Sequence, residues 1–230
     1  MCYTIEINLT REQLVKRFNA AIDPETPFRK GQRINAFSLP LCPVICSQNP
    51  DNIQLFTWGL IPAWTHDMEY AKEIRLKTFN AKAETLSEKA SFRHLVKDKK
   101  CMVLTNGFYE WQARGKDKQP YFINVKDTEG FALAGLHDSW INKETGEVFN
   151  TFTVITTEAN PLMSKIHNTK KRMPVILREE DEKIWIDPVL TPDQSFSYLK
   201  PFDEKLMIAG EVDKALFAKK KNEDGQLNLF

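Results

Sequence analysis

The first residue with distinctive chemistry is Cys2, directly behind the initiator Met1. Once Met1 is removed, Cys2 carries a free α-amine and a thiol on adjacent carbons, a pair that no other side chain offers. An aldehyde can form an imine with the amine, and the sulfur can close on the imine carbon to give a thiazolidine. That closure is intramolecular and therefore fast. The amine titrates near about 8 and the thiol near about 8.5, so both have reactive fractions at neutral pH. The alternative is that Cys2 is only the first residue of a strand.

Three further polar side chains stand where catalytic groups are often found. Asn80 precedes a predicted helix, a position at which Asn commonly acts as a cap. Glu110 is flanked by aromatic residues in a predicted strand, so its pKa should be raised, which suits a general acid. The alternative is a strand Glu that faces solvent. His167 ends a predicted helix before a basic cluster and could move protons near neutral pH, although a lone His is more often structural.

Two tryptophans bracket an apolar loop, Trp58 and Trp64, with Leu60 and Pro62 between them. Exposed aromatic rings beside Lys or Arg can stack on unpaired bases. Buried tryptophans that anchor a loop are the more common case. The sequence leaves both interpretations open.

Composition indicates one globular domain of 230 residues with 42% hydrophobic residues and a net charge of +1. A nearly neutral chain must make any nucleic-acid contact through a local patch. The N-terminus lacks the features of a signal peptide and no apolar run reaches membrane-spanning length, so a cytoplasmic protein is expected, and it is predicted to be a monomer. The cysteines are too few for a disulfide scaffold and lack the spacing of a metal site: Cys2, Cys42, Cys46 and Cys101.

The pattern of apolar and turn residues predicts an α+β domain with mostly antiparallel strands. Strands are predicted near residues 2–7, 33–37, 43–47, 53–58, 102–105, 108–112, 121–125, 131–135 and 149–156. Helices are predicted near residues 10–21, 68–77, 85–96, 160–167 and 179–186. The charged and then apolar residues 219–230 are predicted to form a flexible tail.

Taken together, these residues resemble the SRAP family (SOS response-associated peptidase-like proteins), which sense abasic sites in single-stranded DNA. The resemblance covers most of the chain, because six matching segments occur in order. They are Met1-Cys2, Trp58 to Trp64, Asn80 to Thr85, Gly107 to Trp111, Lys118 to Phe122, and His167 with Arg172-Met173-Pro174.

The resemblance implies an SRAP domain over residues 1–218, a compact α+β fold whose antiparallel strands curl like a barrel, with flanking helices and a groove for DNA. It implies no cofactor or metal. It also implies a thiazolidine cross-link between Cys2 and the ring-opened sugar of an abasic site. Asn80, Glu110 and His167 fall on the family's active-site positions. The residues predicted to contact DNA are Trp58, Trp64, Lys82 and Arg172, and more weakly Lys170 and Lys171.

The tail resembles the short peptide through which bacterial repair proteins bind the sliding clamp. The matching residues are Gln226, Leu227, Leu229 and Phe230. Apolar anchors on a mobile segment suit a pocket on a partner. The alternative is a tail that folds back on its own domain.

Two departures from the family pattern are present. Many members begin Met-Cys-Gly-Arg, whereas Tyr3 and Thr4 follow Cys2 here, and the segment between His167 and Arg172 is longer than in some relatives. Two other functions remain open at this point. One is an N-terminal-nucleophile hydrolase, a peptidase or an enzyme similar to glutamine amidotransferases. The other is a non-catalytic adaptor for single-stranded DNA and the clamp.

Overall fold

The computed structural model describes residues 2–28 and 30–217. The predicted clamp-binding peptide therefore lies outside the described residues. Within them the chain forms a single α+β domain, as predicted, with strands that are mostly antiparallel.

The described residues form thirteen strands, more than the sequence pattern predicts, because short and edge strands carry little periodic signal. They are β1 (Thr4–Ile7), β2 (Ala21–Ile22), β3 (Gln32–Asn35), β4 (Leu41–Cys46), β5 (Asn49–Trp58), β6 (Asn80–Lys82), β7 (Lys100–Thr105), β8 (Gly107–Arg114), β9 (Asp117–Val125), β10 (Phe131–Ile141), β11 (Val148–Glu158), β12 (Arg172–Pro174) and β13 (Met207–Glu211).

Five of these strands close into a barrel in the order β5, β4, β7, β10, β11. Four of the junctions are antiparallel, and β11 closes the ring by pairing in parallel with β5, where Phe152 lies opposite Trp58. The expectation of strands curled like a barrel is confirmed. Strand β6 also pairs in parallel with β11, which carries Asn80 to the side of the barrel opposite Val154.

A second sheet has the strand order β13, β9, β8, β1, β3. The start of the chain lies inside this sheet, because β1 pairs with β3 on one side and with β8 on the other. Thr4 lies opposite Tyr109 of β8, so Cys2 is held close to the following residues of that strand.

Successive side chains along each barrel strand point to opposite faces, and this divides the core into two sets of buried residues. One set of buried side chains, which includes Val103 and Phe152, packs with Ile5 and Phe108 of the second sheet. The residues between them, such as Met102, pack with the helices instead. The core therefore holds both sheets in a fixed relation, and the site residues described below lie at their junction.

The described chain has five α-helices, and the first carries the predicted capping box between Thr10 and Gln13. Helix α1 stops three residues earlier than predicted, because Asn19 adopts a left-handed conformation after it. The helices are α1 (Arg11–Phe18), α2 (Met68–Arg75), α3 (Pro161–Ile166), α4 (Glu179–Trp185) and α5 (Pro192–Phe196). None of the helices in the described part of the chain is long and apolar enough to cross a membrane.

The helix predicted at residues 85–96 is wrong. After a short 3₁₀ turn at Ala83–Thr85 the chain continues in turns, with hydrogen bonds to the third preceding residue, such as Phe92 N–H to the Lys89 carbonyl at 2.9 Å. This conformation buries Leu86 and Leu95 against the barrel. Tertiary packing has overridden the helical pattern of this stretch.

Candidate active site

Cys2 is fully buried at the start of β1. Its carbonyl oxygen accepts a hydrogen bond from Nδ2 of Asn80 at 2.9 Å. Burial, reinforced by the nearby Glu110 charge, raises the pKa of the Cys2 thiol well above its usual value. At neutral pH the thiol is therefore protonated and needs a base at the moment of reaction.

Asn80 lies in a strand and does not cap a helix. Strand β6 places it beside β11, 78 residues along the chain from Cys2. Its Oδ1 atom is buried and has no hydrogen-bond partner among the described residues. An unsatisfied buried acceptor next to Cys2 can take a hydrogen bond from an amine or a hydroxyl group of a bound substrate.

Glu110 lies in β8 with only 3% of its surface exposed. The flanking residues Tyr109 and Trp111 point to the opposite face, where both rings contact Phe217 at centroid distances of 5.2 and 5.0 Å. Burial raises the pKa of Glu110 to about 7. The raised pKa agrees with the prediction from the aromatic neighbours, and it lets this carboxyl group accept and donate protons near neutral pH.

His167 follows the last residue of α3 and is buried. Its Nδ1 atom lies 2.9 Å from the Arg172 carbonyl oxygen, a contact that requires a proton on Nδ1. The Arg172 N–H also approaches Nδ1, but at the longer distance of 3.3 Å. The unprotonated Nε2 then lies 3.9 Å from Oε2 of Glu110. Burial lowers the pKa of His167, so the ring is neutral at pH 7 and can act as a base through Nε2.

Two cavities adjoin this cluster, and Tyr3 lines both of them. The smaller has a volume of about 340 Å³, and its lining includes Glu110, Trp111, Lys118, His167 and Lys170. The larger has a volume of about 630 Å³, and its lining includes Trp64, Tyr70, Lys77, Asn80, Lys82 and Lys89. Both cavities combine aromatic rings with lysines and meet at the start of the chain.

The prediction that Trp58 stacks on bases is corrected by its burial. Trp58 is 0% exposed, donates from Nε1 to the Phe79 carbonyl at 2.8 Å, and stacks on Phe152. It anchors the barrel wall. Trp64 is 50% exposed and lies beside Tyr70 in the larger cavity, where a base can reach both rings.

The two tryptophans should therefore respond differently to substitution. Trp58→Ala is expected to lower the free energy of unfolding by about 3–5 kcal/mol, because it leaves a cavity and removes a buried hydrogen bond. Trp64→Ala should change stability by less than about 0.5 kcal/mol and weaken single-stranded DNA binding by about 1–3 kcal/mol. Urea unfolding and fluorescence anisotropy with a labelled oligonucleotide measure the two effects. The same stability loss in both variants would contradict the assignment.

Arg172, predicted as a leading phosphate contact, is already paired within the protein. Its guanidinium forms two hydrogen bonds with the Glu84 carboxylate, at 2.7 and 2.9 Å, and a third with the Thr156 carbonyl. The ion pair fixes the Arg172 backbone, whose carbonyl oxygen holds the His167 ring in place. Arg172 therefore supports the site through His167. Lys82, Lys170 and Lys171 are exposed, as phosphate contacts must be.

Sequence reasoning missed several cavity residues, including Tyr70, Lys77, Lys89 and Lys118. Tyr70, Ile74 and Lys77 are spaced four and three residues apart, which places them on one side of α2 and its C-terminal extension. That spacing was a usable signal. Lys89 lies in turns where the sequence pattern predicts a helix, so its position could not be read from periodicity.

Comparison with known proteins places these observations in a family. The profile of SOS response associated peptidase (SRAP) matches residues 1–218. Abasic site processing protein YoqW of Bacillus subtilis is 37% identical over 227 residues, covering 96% of each chain. Abasic site processing protein YoaM of the same organism is 41% identical over 167 residues, 72% of this chain and 70% of the relative. Abasic site processing protein HMCES of Xenopus tropicalis is 37% identical over 150 residues, 56% of this chain and 43% of the relative.

Solved structures agree. A crystal structure of a protein from Bacteroides thetaiotaomicron superposes with a TM-score of 0.91 at 39% identity, covering 95% of each chain. A second, from Bordetella bronchiseptica, has a TM-score of 0.77 at 25% identity and covers 92% of this chain and 100% of the other. With a family match over residues 1–218 and a relative similar over 96% of both chains, the chain belongs to the SRAP family.

Proposed function

We propose that this protein processes abasic sites in single-stranded DNA by forming a covalent thiazolidine through Cys2 after removal of Met1. The observation that carries the proposal is the convergence of Asn80, Glu110 and His167, from three separate elements, around the start of the chain. The relatives are named abasic site processing proteins, which supports the same substrate.

The first step is imine formation. His167 accepts and returns a proton at Nε2 while the abasic sugar opens to its aldehyde. Glu110 takes a proton from the Cys2 ammonium, and the free amine attacks the aldehyde carbon to give a carbinolamine. The proton that Glu110 took up then passes through His167 to the hydroxyl group, which leaves as one water. The imine remains protonated on nitrogen, and Glu110 is a carboxylate again. Asn80 orients Cys2 through its carbonyl oxygen and offers Oδ1 to the reacting groups.

The second step is ring closure. The thiol of Cys2 is protonated because it is buried, and the adjacent Glu110 carboxylate is placed to take that proton. The sulfur adds to the carbon of the protonated imine and the C=N electron pair moves to nitrogen, so a C–S bond forms and nothing is oxidised or reduced. The product contains protein and DNA less one water. Because both bonds lie in a five-membered ring, the adduct should survive denaturation.

The DNA strand is proposed to cross the two cavities that flank Tyr3. Trp64 and Tyr70 can stack on bases in the larger cavity, where Lys82 can meet a phosphate. Lys118 and Lys170 line the smaller cavity on the other side. The net charge of +1 leaves binding to such local lysines, so affinity should depend on salt.

Loss of single lysines should therefore reduce the salt dependence of binding. Lys82→Ala and Lys170→Ala are each expected to lower the slope of log Kd against log salt by about 0.7, the value for one contact to a single strand. Anisotropy titrations at several salt concentrations measure the slope. Lys143→Ala, which removes an exposed charge from the turn between β10 and β11, is the matched control and should leave the slope unchanged. Equal slopes in all three variants would exclude this path.

The proposed reaction is tested by intact mass spectrometry of protein lacking Met1 after incubation with abasic single-stranded DNA. The expected product has the summed mass less one water and survives heating in denaturant. Peptide mapping should place the adduct at Cys2. A hydrolase or a non-catalytic adaptor would leave no such adduct, and a modification at another residue would refute the proposal.

A further inference from the structure

The side-chain amide of Asn168 attaches the loop between α3 and β12 to β8, and it bonds the β8 backbone as a neighbouring strand would. Among the described residues, strand β1 pairs with β8 from Gly107 to Tyr109. The amide of Asn168 contacts the backbone of β8 further along, at Ala113. Its Oδ1 accepts from the Ala113 N–H at 3.0 Å, and its Nδ2 donates to the Ala113 carbonyl at 3.0 Å.

A second contact supports the first. Nε2 of Gln112 donates to the carbonyl oxygen of Lys165 in α3 at 2.9 Å. Asn168 itself is exposed, so its side chain is not part of the hydrophobic core. They connect two backbones, one carrying Glu110 and the other His167, the residue directly before Asn168.

This connection matters because Nε2 of His167 and Oε2 of Glu110 are 3.9 Å apart, beyond hydrogen-bond length. The loop carries His167 and β8 carries Glu110, so the position of the loop relative to β8 affects the separation of the two side chains. On the other side the loop is closed by the Lys171 N–H, which donates to the His167 carbonyl at 2.8 Å, and by the contact from Nδ1 to the Arg172 carbonyl. Asn168 fixes the direction in which this closed loop faces β8.

We propose that Asn168 is a positioning residue that holds His167 over Glu110 by attaching the loop to the backbone of β8 at Ala113. Its effect on a reaction rate rests on the proposed function, whereas its effect on His167 does not. The lengthened segment between His167 and Arg172 supplies this attachment.

Asn168→Ala should leave the fold intact and loosen the loop. The His167 ring then gains solvent, so its lowered pKa should rise toward the ordinary value of about 6.5. The rate of adduct formation should fall about 10-fold to 100-fold, because proton transfer depends on geometry. Affinity for undamaged single-stranded DNA should stay within about twofold, since no phosphate or base contact is removed. Asn168→Gln, which keeps both hydrogen-bonding groups, should recover most of the rate.

The experiment is an NMR titration of imidazole-labelled protein, with the His167 signal assigned through His167→Gln, together with single-turnover cross-linking across pH. Asn150→Ala is the matched control, since this exposed Asn bonds Ser139 on the barrel and should change neither readout. An unchanged His167 pKa in Asn168→Ala would overturn the proposal. So would an unchanged rate. If the wild-type protein forms no adduct, the titration alone still decides whether Asn168 positions His167.

Discussion

Cys2→Ala is expected to abolish the heat-stable adduct with abasic DNA completely. After removal of Met1 the variant still has an α-amine and can form an imine, but it has no sulfur to close the ring. The imine is reversible, so it should appear only when a hydride reductant traps it. Intact mass spectrometry with and without borohydride separates the two products.

The control for this variant is Cys42→Ala, which removes another buried thiol and should retain full adduct formation at matched folding. Protein that keeps Met1 is a second control, because its Cys2 nitrogen is an amide and cannot form the imine. A heat-stable adduct in unreduced Cys2→Ala would show that the Cys2 sulfur is not needed for the adduct. A heat-stable adduct in protein that retains Met1 would show that the Cys2 α-amine is not needed.

Glu110→Gln should slow adduct formation by about 10²-fold to 10⁴-fold, the range that general acid–base catalysis contributes. The Glu110 pKa of about 7 means that the carboxylate needed to deprotonate the Cys2 amine becomes the major form above neutrality. The wild-type rate should therefore rise through pH 7. The variant should keep only the titration of the amine, near about 8. Single-turnover rates between about pH 5.5 and about pH 8.5, a range that spans about 1.5 units on either side of the Glu110 pKa, measure this. A wild-type profile in Glu110→Gln would contradict the role.

The same variant should be more stable than the wild type at alkaline pH. The pKa of Glu110 rises from 4.5 to about 7 on folding, so the folded state holds a proton that the unfolded state has released between these values. Wild-type stability therefore falls as pH rises through this window, by at most about 3 kcal/mol. A glutamine side chain does not ionise, so Glu110→Gln should show the gain at pH 8 and lose it near pH 4.5. Urea unfolding at both values measures the difference, with the exposed Glu88→Gln as control.

Local features were predictable because their causes are local. The capping box at Thr10 and Gln13 starts α1 as predicted, and α3 begins after the Asn160 cap and ends before His167. Each depends on residues only a few positions apart, whose interactions hold in most folds.

The sequence by itself determined the reactive pair at Cys2, the family resemblance and most of the strands. The tertiary structure alone decided which polar groups meet: the amide of Asn80 on the Cys2 carbonyl, and His167 beside Glu110. It also decided that Trp58 is buried. The physical reason is that periodicity specifies which face of a strand is apolar but not which strands pair. The parallel closure of β11 on β5 and β6 sets those distances, and it joins segments far apart in the chain.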